Sequence, residues 1–140
     1  MQNLKIGWIN VTFSDLVIHS KTSEDILDLV ELSWKGIDQA MRPIIGKGGI
    51  EALFHRSIEI TAEAYPWLTA LHTDAPLAMD LHALRRILSK QGTRELAGAS
   101  DILLVQFHNL LTNLIGLSLT DRLLRPVLDP LLNGPASKDI

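Results

Sequence analysis

The sequence predicts an all-α fold, a helix bundle of four to six helices with a buried apolar helix in its C-terminal half. Three observations carry this. Leu and Ile dominate the apolar residues while aromatics make up only 5% of the chain, a balance that suits helix packing better than strand pairing. Apolar residues recur three and four apart over most of the length. Capping residues, prolines and glycines punctuate those stretches at helical lengths. The 140 residues are enough for one domain with its own core. That domain is expected over residues 1–133, with 134–140, GPASKDI, as a frayed tail.

The elements follow in order. Residues 4–13 are ambiguous: Ile6 and Trp8, then Val11 and Phe13, sit two apart as in a strand, while Ser14 and Asp15 equally suit the start of a short helix through Ile18. Thr22 and Asp25 next form a capping box, with Glu24 and Asp25 at the positive end of a helix dipole. Ile26, Leu29, Val30, Ser33, Trp34, Ile37, Ala40 and Met41 give that helix a buried stripe. It should stop near Arg42, because Pro43 disfavours helical geometry in the residue before it. A second helix is expected from Ile50 to Tyr65, facing inward through Ile50, Leu53, Phe54, Ser57, Ile58 and Thr61, and ended by Pro66. A third should begin after Asp74 with Pro76 in its first turn, carry the stripe Leu77, Leu81, Leu84 and Leu88, and close at Gly92.

The last helical region opens at Ser100 or Asp101 and holds no charge between Asp101 and Asp121. That length could span a bilayer. However, Gln106, Asn109 and Asn113 share one face, and His108 and Thr112 add polar groups that a lipid-facing span carries at a cost. No membrane insertion is expected. The reading is a central helix buried on most of its circumference, with Leu110, Leu111, Leu114 and Ile115 near the middle of the core. Its surplus apolar surface calls for a partner helix, and a second copy of the chain, as a homodimer or other homo-oligomer, would supply one. Gly116 and Pro126 should break or bend the region before a last amphipathic piece, LTDRLLRPVLDPLL. No internal repeat and no low-complexity stretch is visible.

Composition narrows the function classes. The absence of Cys excludes disulfides and thiolate metal sites. A net charge of -3 gives no bulk electrostatic help toward nucleic acid. The opening MQNLKIGWINVTF has one Lys and no clean apolar run, so it does not read as a signal peptide.

Two stretches resemble known sites. Ile44-Ile45-Gly46-Lys47-Gly48-Gly49 resembles the phosphate-clamping loop of KH-type RNA-binding domains, in which a Gly-x-x-Gly loop between two helices presents backbone N–H groups to phosphates. A KH fold also needs a strand shortly before its first helix and one after its second; here Lys21-Thr22-Ser23 leads into a long helix that is acidic at its start, and AYPWLTALHTDAP after the second helix lacks the Val/Ile/Thr alternation of a strand. Nucleic-acid binding through Gly46, Lys47, Gly48 and Gly49 is therefore the third reading, and a helix–helix junction the first. Asp80 to Gly92, DLHALRRILSKQG, resembles the phosphorylatable helix of histidine phosphotransfer domains: His82, Leu84, Arg85 and Gly92 match in spacing, and a cation there would steady a phosphoryl group. Arg86 and Ile87 depart from it, since the family keeps those positions small.

Charge and His patterns complete the inventory. Arg86, Lys90 and Arg94 repeat four apart beside Arg85, and Glu24, Asp28 and Glu31 on the first long helix have complementary spacing. His82, Arg85, Arg86 and Lys90 are the candidate protein-binding residues. Glu51, His55, Glu59 and Glu63 form a ladder on one helix, but no second helix offers matching ligands, so no metal and no cofactor is expected. His108 shares a face with Leu104, Leu111 and Ile115 and reads as a core residue bonded to a backbone carbonyl. There is no nucleophile elbow and no P-loop.

In the C-terminal half, Phe107, Leu110, Leu111, Leu114, Ile115-Gly116 and Leu119-Thr120-x-Arg122-Leu123-Leu124 resemble a pattern in uncharacterised bacterial all-helical proteins, as do Arg42-Pro43-Ile44-Ile45-Gly46 and Pro66-Trp67-Leu68. The resemblance covers residues 40–128. It implies a bacterial, cytoplasmic protein tied to signalling and transfers no active site. With no coherent catalytic constellation, the expected function is a non-enzymatic regulatory or protein-interaction module. Phosphotransfer through His82 is the alternative.

Overall fold

The computed structural model describes residues 6–19, 21–71 and 79–133. Five helices and one 3-10 turn have their bounds among them: α1 (Phe13–Ile18), α2 (Ser23–Thr61), the 3-10 turn (Pro66–Thr69), α3 (Leu81–Ser89), α4 (Thr93–Ile115) and α5 (Leu117–Leu132). The described residues contain no strand, and none of their helices is long and apolar enough to cross a membrane. The fold is all-α.

Local chemistry sets the helix starts. Residues after position 12 resolve as helix: Thr12 and Asp15 form a full capping box, each side chain accepting from the other's backbone N–H. Thr22 and Asp25 repeat the device at the start of α2. Asp80 caps α3 by accepting from the Ala83 N–H at 3.0 Å, so this helix begins at Leu81. The expected start after Asp74, with Pro76 and Leu77, lies outside the described residues, as does the tail 134–140.

The prolines do not break the helices as expected, whereas Gly116 does, and a glycine makes the junction in α2. α2 does not stop at Arg42. It runs through Pro43 and turns only at Gly46, where φ is 76° and ψ is 166°, a conformation open essentially to glycine alone. α4 ends the same way at Gly116, with φ 91° and ψ 153°. Pro126 and Pro130 both lie inside α5 without breaking it. All three prolines are exposed, so water can solvate the carbonyls they leave without a helical donor. The second limb of α2 begins straight after Gly46 and ends at Thr61, and Pro66 opens the 3-10 turn. Gly92 does not close α3; it caps α4, which opens at Thr93 and not at Ser100. Arg94, Glu95 and Gly98 interrupt the apolar stripe there. Gly98 is glycine for space, since a Cβ would lie 2.6 Å from the Tyr65 hydroxyl.

α2 and α4 start side by side, with the Ser23 and Thr93 hydroxyls hydrogen-bonded. Trp34 sits at the centre of the core. Phe54 from the second limb of α2 and Phe107 from α4 meet it edge-on, with ring centroids 5.1 and 5.2 Å away. The core centre is therefore not Leu110, Leu114 and Ile115. Leu111 is fully buried, but Leu114 is 60% exposed, and Leu110 and Ile115 are half-buried. The inward face of α4 is Leu96, Leu103, Leu104, Phe107 and Leu111. Much of what covers it is α2 of the same chain, which supplies the partner helix that the apolar surplus of α4 calls for.

Candidate functional site

The expected protein-binding group is split. His82 and Arg86 are exposed on α3, and Lys90 is exposed at its C-cap. Arg85 instead turns onto α2, with its Nη1 2.8 Å from Glu31 and its Nη2 2.6 Å from Glu24 and 2.9 Å from Asp28. The complementary charges do pair, within the chain and through Arg85 alone. Arg86, Lys90 and Arg94 form no single stripe, because α3 ends at Ser89. The hydrogen bonds that Arg85 donates to the Asp28 and Glu31 carboxylates raise its pKa, and the bond to Glu31 holds that carboxyl below its ordinary value. The pairs are partly solvated, so each contributes only about 0–1 kcal/mol and serves mainly to orient α3.

The Gly46–Gly49 segment is a corner, not an open loop. Gly46 makes the turn, and Lys47, Gly48 and Gly49 already belong to the first turn of the second limb. Gly49 leaves room for Ile45, whose Cβ would be 3.1 Å from an added methyl. The strands that flank the helix pair of a KH fold are absent among the described residues.

The acid ladder on α2 spreads along a surface, with Arg56 bonded to Glu59 at 3.1 Å. No group of three His, Asp or Glu among the described residues is placed to hold a metal ion. His108 is buried as expected, but its partner is a carboxylate and not a backbone carbonyl: Nε2 lies 2.8 Å from Asp121 Oδ1, across the Gly116 corner. Burial pushes the Asp121 carboxyl up. Contacts with His108 and Trp8 and the charge of Arg125 outweigh it and leave the group below its ordinary value. The Trp8 indole N–H approaches this carboxylate without reaching hydrogen-bond geometry, and Arg125 stacks over the Trp8 ring at 5.3 Å.

A further open surface runs along α5. Pro126 and Pro130, four apart on α5, form an exposed ridge. On one side lies an open, mainly apolar groove of about 510 Å³ between α2 and α5, lined by Leu32, Gly36, Gln39, Ala40, Val127 and Leu131. Gly36 allows the two helices to close up, since a Cβ there would lie 2.5 Å from Val127. Leu32 stands 49% exposed at the rim. On the other side is a charged face of about 580 Å³ with Ser118, Asp121, Arg122, Arg125 and Asp129. The prolines also leave the carbonyls of Arg122 and Pro126 without their i+4 donors, so backbone acceptors line the ridge. The readable signal was the four-residue proline spacing within an amphipathic segment. No family model, curated protein or solved structure matches this chain, so its own geometry is what bears on function.

Proposed function

We propose that the chain is a non-enzymatic regulatory interaction module that holds an amphipathic helix of a partner protein along α5. The observation that carries this reading is the proline ridge with an apolar groove on one side and interleaved Arg and Asp on the other. A partner helix could place its apolar anchors against Val127 and Leu32 and its charges against Arg122 and Asp129. A bacterial, cytoplasmic signalling setting rests on the sequence resemblance alone.

The test is affinity recovery of the tagged protein from its native lysate, with proteins and nucleic acids identified. One stoichiometric partner should be retained by His82→Gln and lost by Leu32→Glu and Ala40→Glu, with helical content unchanged in all three. A partner that binds both groove variants normally would overturn the proposal. Recovery of the protein with only itself would move the groove to self-association. RNA lost on Lys47→Ala would favour the glycine corner.

One observation keeps phosphotransfer as a second reading: His82 is exposed on α3, open to a docking protein. The cation nearest to it in the motif, Arg85, is committed to three carboxylates. Phosphoryl transfer from a receiver domain to the wild type, absent in His82→Gln, would establish it.

A further inference from the structure

The two long helices are laid out alike. The first limb of α2 runs from its N-cap Thr22 to the Gly46 corner, and α4 from its N-cap Gly92 to the Gly116 corner, so that positions 22 and 46 become 92 and 116 on adding 70. Both corners place glycine in the same rare conformation, with φ 76° and ψ 166° against φ 91° and ψ 153°. A return helix follows each corner directly. The same shift maps buried residues onto buried residues: Ile26 onto Leu96, Trp34 onto Leu104, Ile37 onto Phe107, Met41 onto Leu111, Phe54 onto Leu124 and Ile58 onto Leu128.

Burial alone would fix no register, because amphipathic helices also match at shifts of three, four or seven residues. The caps and corners do fix it, and so does a pair of acids. Glu31 on α2 holds the short helix α3 through Arg85. Asp101, its counterpart on α4, accepts the backbone N–H groups of Phe13 at 2.7 Å and Ser14 at 3.0 Å and so holds the short helix α1. The packing is reciprocal: α1 of the first half lies on α4 of the second, and α3 of the second lies on α2 of the first. The starts of α2 and α4 meet through Ser23 and Thr93, which the shift also pairs.

We infer that the chain is two copies of one helical unit, a short helix, a long helix and a return helix, joined by exchanging their short helices across an approximate two-fold axis. Identity between the copies survives over 22–61 only at Ile45/Ile115, Gly46/Gly116 and Leu53/Leu123. The residues kept are the corner and one half-buried leucine packed against the core.

An experimental structure of the full chain tests this directly. Superposing 22–61 on the second half at every register should give one sharp minimum, at a shift of 70. An equal fit at a shift longer or shorter by three, four or seven residues would overturn the inference. Amide exchange on full-length variants tests the exchanged packing. Arg85→Gln should speed exchange in α3, and Asp101→Asn in α1, each about tenfold, the scale of a lost charged hydrogen bond. Faster exchange confined to the short helix of the half carrying the acid, α1 for Glu31→Gln or α3 for Asp101→Asn, would refute the exchange. If Asp101→Asn unfolds the chain outright, the superposition decides.

Discussion

The two short helices sit in corresponding places and are held by opposite chemistry. α3 hangs from α2 by a guanidinium among three carboxylates, in a cluster open to water. α1 is tied to α4 by one carboxylate, Asp101, that accepts two backbone N–H groups beneath the surface. Burial raises the Asp101 pKa despite those hydrogen bonds, whereas Glu31 is held down by Arg85. The lesson is that a helix position can be kept by geometry while the interaction that secures it is replaced. The same contrast runs through the outer crossings, where Gly36 lets α5 approach α2 closely and the matching position holds Gln106.

The largest effects should come from the centre, which both halves build. Trp34→Ala should cost about 3–5 kcal/mol and its counterpart Leu104→Ala about 2–5 kcal/mol, read from urea unfolding. A greater loss from Leu104→Ala would shift the centre of the core to the second half. The corners come next. Both are free of steric neighbours, so Gly46→Ala and Gly116→Ala should each cost about 1–3 kcal/mol from backbone strain alone. Gly48, helical and equally open, should behave the other way, with Gly48→Ala stabilising by about 0.5–1 kcal/mol.

The latches should part company in acid. Glu31 has a lowered pKa, so its contribution is present above its unfolded value and is lost as pH falls through the folded one. Asp101 has a raised pKa, so its contribution is greatest below its unfolded value and declines as pH rises through the folded one. Between about pH 7 and about pH 3 the stability gap between wild type and Glu31→Gln should therefore shrink, while the gap to Asp101→Asn should widen. Thermal unfolding of the three proteins across that range checks it, and gaps that move together would show the latches to be alike. The smallest effect is at Thr61, whose buried hydroxyl has no partner and whose counterpart is Leu131. Thr61→Val should gain at most about 1 kcal/mol in melting experiments, and a loss would reveal a hidden bond.

Most of the helical content could be read from the sequence, because a buried stripe needs only its own letters. Ile26, Val30, Trp34 and Ile37 announce one face of α2, and the boxes at Thr22 and Asp25 its start. The breaks could not be read so simply. A proline on a wet face loses one hydrogen bond that water replaces, so Pro43, Pro126 and Pro130 pass, whereas the glycines at 46 and 116 turn the chain because packing demands a φ no other residue holds well. The acid partners of α3 were legible from spacing, but not that Arg85 would take all three. Asp121 as the partner of His108 depends on a corner between residues 13 apart. The groove was hidden because it belongs to two helices far apart in sequence, and the repeat because its halves keep so few letters in common.

The exchanged arrangement also sets a timetable for synthesis. α2 buries its apolar face against α3, α4 and α5, all of which leave the ribosome after it. Trp34 must wait for Phe107, a delay on the order of ten seconds at about 5–20 residues per second. Through that interval the nascent chain carries a long helix with its greasy side uncovered. Neither half can be finished alone, so the molecule should fold late and all at once, and holding chaperones should find it just before α4 emerges.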